Sequence, residues 1–124
     1  MTISWNDDQP IYRQLRDKVV GLILDGVYKE GDPIPSVRQV SSDYQINHLT
    51  VAKAYQELVD LGLVESRRGM GMYVIVGAHE KLHGMEKEKF LAQELPQLLI
   101  RSSQLGISKT ELIQTIENLP EETR

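Results

Sequence analysis

Between Gly31 and Val76, capping residues and glycines fall so close together that no helix there has room to exceed about four turns. Ser36 precedes a short periodic run and has Gln39 three residues on, so its hydroxyl can cap backbone N–H groups while Gln39 reaches back. A helix is therefore expected to start near Val37, with Val37, Val40 and Tyr44 on a buried face and Arg38 and Gln39 outside. Gln45 to Asn47 allows only a brief turn. Asn47 is a good N-cap for a second, longer helix to about Leu61, which Gly62 ends. Leu63 and Val64 then lead into a strand, Arg67 to Gly71 forms a glycine-containing turn, and Met72 to Val76 is a β-branched and aromatic run.

Two helices across such a turn match the helix-turn-helix arrangement, whose second helix enters the DNA major groove by its N-terminal end. His48, Leu49, Thr50 and Lys53 are then expected to face DNA, and Val51, Ala54, Tyr55, Leu58 and Val59 to bury on the opposite face. The hairpin reads as a wing. Arg67 and Arg68 bring charge to a phosphate backbone, and Gly69 and Gly71 permit positive backbone dihedrals. The expected fold is mainly α with a small β-hairpin: a winged helix-turn-helix domain over residues 1–77, followed by two C-terminal helices over residues 78–124.

With these residues placed, the chain resembles the GntR family of bacterial transcription regulators, and among them the YtrA-like subgroup with its small C-terminal part. The resemblance begins at Pro10-Ile11-Tyr12-Arg13-Gln14-Leu15. It continues through Gly31-Asp32, Pro35-Ser36, Arg38, Thr50-Val51, Ala54-Tyr55, Leu58, Gly62, Arg68-Gly69 and Gly71, covering about residues 8 to 77. It implies a homodimer on a pseudo-palindromic double-stranded operator. Ser36, Arg38, Asn47, His48, Leu49, Thr50, Lys53, Arg67, Arg68, Gly69 and Gly71 form the expected DNA-binding set. His48 and Leu49 stand where relatives often carry proline or arginine and then asparagine, so the operator sequence does not carry over. A leucine there suits a thymine methyl, and His48 a base edge or a phosphate.

Charge alone does not announce this function. The net charge is −4, whereas affinity for DNA depends on neutralising phosphates. Residues 1–78 hold eight Lys or Arg against ten Asp or Glu, and residues 79–124 hold six against eight, so neither part is basic. Placement must supply the attraction: Arg38, Lys53, Arg67 and Arg68 fall on the proposed DNA face, while Asp7, Asp8, Asp25, Glu30 and Asp32 precede it.

The first helix is expected from about Pro10 to Asp25, burying Ile11, Leu15, Val19, Leu22 and Ile23. After Gly77 a charged helical stretch runs from His79 to about Ser103, with Pro96 as a kink or break. Ser108 with Glu111 opens a last helix, and the end from Pro120 to Arg124 is expected to fray. Too few residues remain there for an independent core. Leu82, Met85, Phe90, Leu91, Leu95, Leu98, Leu99, Leu112, Ile113 and Ile116 are therefore expected to pack against a second copy.

Zero cysteines exclude disulfides and thiolate zinc sites. No apolar run approaches a membrane span and Met1 to Gln9 lacks an export signal, so a cytoplasmic location with no membrane partner is expected. His79-Glu80-Lys81-Leu82-His83 matches the H-E-x-x-H letters of zinc hydrolases. Its setting does not match: Gly77 and Gly84 flank it, Lys81 is charged, and no third ligand follows. No cofactor or resident metal is expected. The expected function is that of a homodimeric transcription repressor, and the resemblance implies control of its own gene, a neighbouring transporter operon, or both. The alternatives are an activator or architectural factor of the same fold and, remotely, that zinc enzyme. The chain ends before any large effector or aminotransferase-like domain, so a small-molecule effector would bind between the tails, between tail and DNA-binding domain, or at a dimer interface.

Overall fold

The computed structural model describes residues 5–121. The expectation of no export signal over Met1 to Gln9 and that of fraying over Pro120 to Arg124 fall partly outside them. Helices α1 (Ile11–Leu24), α2 (Val37–Tyr44) and α3 (His48–Asp60) precede a hairpin of β1 (Val64–Arg67) and β2 (Gly71–Val74). Helix α4 (Ala78–Lys89), a π-helical turn (Phe90–Glu94), α5 (Leu95–Gln104) and α6 (Lys109–Asn118) follow. This is the expected mainly α fold with one small hairpin. The chain divides into two compact units, residues 1–84 and 85–124.

The first unit is built around the inner faces of α1 and α3. Leu15, Val19 and Ile23 are buried from α1, and Val51, Ala54, Tyr55 and Leu58 from α3, all at helical spacing. Each fully buried Leu or Ile side chain contributes roughly 1.5–3 kcal/mol. Arg16 and Glu57 join the two helices at 2.7 Å. Two of the residues expected inside α1 depart from that stripe: Ile11 is exposed and Leu22 half-buried. Ile11 sits in the first turn, where the neighbouring Tyr12 packs against the core instead.

Side-chain caps fix where α2 and α3 begin. Ser36 Oγ accepts from Gln39 N at 3.0 Å, and Asn47 Oδ1 accepts from Leu49 N at 2.7 Å. Between them Gln45 adopts the left-handed conformation, with φ of 56°, and lets the chain reverse within three residues. Ser41 Oγ donates to the Ile46 carbonyl across the same turn.

The hairpin pairs Val64 with Val74, Glu65 with Tyr73, Ser66 with Met72 and Arg67 with Gly71. The segment before α2 is laced to it: Gly31 N donates to Val74 O, Val74 N to Asp32 O, and Ile34 N to Met72 O, at 2.8–2.9 Å. The wing is thereby tied to the chain that enters α2. Sequence patterning missed this link, because Gly31-Asp32-Pro33 carries turn residues and no strand period.

Leu82, expected to meet a second copy, is corrected here. It is 2% exposed and packs with Ala78 in the first unit's core, so it is already committed within the chain. The disturbance expected at Pro96 takes the form of the π-helical turn, in which Leu95 N donates to Phe90 O. Pro96 has no N–H and its ring would crowd a carbonyl four residues back in an unbroken α-helix. The wider turn relieves that conflict, and Pro96 falls in the first turn of α5, where proline is tolerated.

Candidate nucleic-acid interface

The outer surface of α2 and the start of α3 enclose a groove of about 570 Å³ lined by Val37, Arg38, Ser41, Ser42 and His48. The tight turn at Gln45 makes this possible, since it brings the outward side of α2 beside the first residue of α3. Arg38 and His48, both exposed, thus share one concave strip. Ser41 and Ser42 were not singled out from sequence, although they follow Arg38 by three and four residues and so share its side of α2.

The other expected contact residues divide by how free they are. Leu49 is 67% exposed, which is unusual for a leucine in a well-packed helix, while Thr50 is half-buried. Ser36 and Asn47 are exposed but already spend an oxygen as helix caps. Lys53 places its Nζ 4.1 Å from the centre of the Tyr12 ring, so its charge is held against α1 by cation–π attraction.

In the wing, Gly69 and Gly71 have φ of 75° and 104°, a region that side chains with a Cβ rarely occupy. Arg68, Gly69 and the unforeseen Met70 are exposed at the tip. Arg67 is engaged. Its Nε and Nη2 donate to Glu65 Oε1 at 3.2 and 3.1 Å, and its guanidinium lies 4.1 Å over the Tyr73 ring. Among the described residues no carboxylate pairs with Arg38 or Arg68.

Tyr55 anchors the site from behind. Its hydroxyl donates to the Pro35 carbonyl at 2.6 Å, holding the chain just before the Ser36 cap. Burial, with Tyr28 and Tyr44 nearby, pushes its pKa up from the ordinary tyrosine value.

The model of the family described as "Bacterial regulatory proteins, gntR family" matches residues 11–74, more than half of the chain. The chain belongs to the GntR family. It is 35% identical over 111 residues to the HTH-type transcriptional repressor YtrA of Bacillus subtilis, covering 89% of this chain and 84% of that protein. A GntR family transcriptional regulator from Listeria monocytogenes superposes with a TM-score of 0.76 at 27% identity, covering 94% of this chain and 100% of that one. The AraR DNA-binding domain, solved in complex with operator ORR3, superposes with a TM-score of 0.53 at 25% identity, covering 58% of this chain and 87% of that one.

This GntR chain is thus a DNA-binding transcription regulator of the YtrA-like kind and not an enzyme. The H-E-x-x-H letters have a structural use instead. His79 Nε2 lies 2.8 Å from the Leu24 carbonyl and its backbone N–H donates to Glu30 Oε2 at 3.2 Å, fastening the start of α4 to the end of α1 and to the loop that follows it. Among the described residues no group of three or more His, Asp or Glu is placed to hold a metal ion. Among them, too, no helix is long and apolar enough to cross a membrane.

Proposed function

We propose that the protein is a homodimeric repressor that binds a pseudo-palindromic operator in double-stranded DNA, controlling its own gene, a neighbouring transporter operon, or both. The first unit, residues 1–84, carries DNA binding and residues 85–124 carry dimerisation. The groove that joins Arg38 to His48 carries the reading: a cation beside the exposed start of a capped helix suits a phosphate flanking a base-reading helix. His48, Leu49, Thr50 and Lys53 read or approach the major groove, and the Arg67-to-Gly71 turn approaches the backbone beside it. Repression rather than activation follows the B. subtilis relative, which is described as a repressor. A small-molecule effector would act by preferring one of two dimer states.

The test is fluorescence anisotropy of the protein on the DNA upstream of its own gene, against scrambled DNA of equal length, across a salt series. Tight binding that survives competitor, at two chains per duplex, is expected. Arg38→Ala should weaken it at least tenfold, the order of one lost charge-assisted contact. Equal affinity for both DNAs, or an Arg38→Ala variant that binds like the parent, would sink the proposal.

A further inference from the structure

The wing carries two arginines, but only one of them is electrostatically free. Strand alternation places Glu65 and Arg67 on one face of β1, and the register sets Tyr73 directly opposite Glu65. The three side chains close on one another: Glu65 accepts two of Arg67's N–H bonds, at 3.2 and 3.1 Å, and the Tyr73 ring lies beneath the guanidinium at 4.1 Å. An arginine has five N–H donors, so three remain, but the carboxylate offsets part of the charge that would draw a phosphate to them. Arg68, one residue on, has no such partner among the described residues.

We propose that Glu65 is a brake on DNA binding. It is a positioning residue that holds Arg67 flat on Tyr73 and withholds its charge until a phosphate displaces the carboxylate. This rests on the reading of the wing as a DNA contact. Tyr73 limits how far Arg67 swings when released, so the exchange is local: Glu65 leaves the guanidinium edge, a phosphate oxygen takes its place, and the ring stacking persists. The acidic residue therefore tunes sequence-independent affinity and leaves base reading by α3 untouched. Because this term is independent of sequence, it sets how tightly the protein holds any DNA and leaves the ratio between operator and other DNA unchanged.

The experiment measures anisotropy on a labelled random-sequence duplex and on the upstream DNA, over a salt series, for the parent chain, Glu65→Gln, Arg67→Ala, the double variant of these two, and Arg68→Ala. Glutamine keeps the shape and an acceptor for Arg67 but removes the charge. Glu65→Gln is expected to tighten binding to both DNAs about fivefold at low salt, and to steepen the salt dependence by about one phosphate's worth. In the Arg67→Ala background the same change should do nothing. Three results overturn the inference while leaving the wing as a DNA contact. These are unchanged affinity in Glu65→Gln; weakened affinity, which would make the pair a pre-formed DNA-binding unit; and equal tightening without Arg67, which would mean that the carboxylate repels phosphate directly. If Arg67→Ala and Arg68→Ala both bind like the parent, the reading of the wing itself fails and the inference with it.

Discussion

Tyr55 shows how one side chain can serve both the core and the site. Its ring is buried against α1 and α2, while its hydroxyl reaches the Pro35 carbonyl at 2.6 Å and so positions Ser36 and Arg38. Tyr55→Phe should cost about 1–2 kcal/mol, because the half-buried carbonyl loses its donor, and urea unfolding checks this. The same residue sets an alkaline limit. Its folded-state pKa is raised above the unfolded value near 10, so its contribution is fully present below about pH 10 and is lost as the pH climbs beyond it. Part of the alkaline loss of stability should disappear in Tyr55→Phe. Helical period made Tyr55 legible as a core residue, but its bond to Pro35 was not, because the partner lies twenty residues away. The pairing of Arg67 with Glu65 was hidden for another reason. Alternation puts the two on one face, yet reading charges as separate phosphate contacts overlooked that neighbouring opposite charges first satisfy each other.

At the scale of elements, caps and glycines made the helix-turn-helix readable to within a residue or two. Ser36, Asn47 and Ser108 each take the N-cap position expected of them. Asn47 was also expected to touch DNA, and the two roles separate experimentally. Asn47→Ala removes the acceptor for Leu49 N and should destabilise the fold by about 1 kcal/mol in urea. Asn47→Asp keeps a capping oxygen and favours the helix dipole, so it should restore the stability. It nevertheless adds a negative charge beside the start of α3, and operator affinity should fall further than in Asn47→Ala. If both variants bind DNA alike, Asn47 is a cap and nothing more. Local chemistry reached its limit at Pro96: the missing N–H forecast a disturbance, but that the helix would absorb it in one π-helical turn depended on backbone geometry rather than on residue identity.

For the whole molecule, the contrast between the two units decides what the C-terminal part needs. Among the described residues the first has fifteen buried core hydrophobics, all at or before Leu82, whereas α6 buries none of its residues. Phe90, Leu91, Leu98, Ile113 and Ile116 are each 45–54% exposed, and Ile100 and Leu105, which the sequence reading passed over, are still more open. Leu99 and Leu112 instead line a hollow of about 240 Å³ at the α5–α6 corner, so within the chain they are partly occupied. So many half-open apolar side chains in a short helical segment favour association over a free surface, since a patch of this kind costs solubility unless it is covered. On the proposed dimer, Leu98→Glu should shift the chain to monomer in sedimentation equilibrium, with little change in helical content, because the residue is not part of any internal core. Operator binding should weaken about a hundredfold or more, since two linked half-site contacts would become two independent ones, while binding to a single half-site should stay within about twofold of the parent. A Leu98→Glu chain that remains dimeric and binds the full operator like the parent would move the dimer contact away from α5.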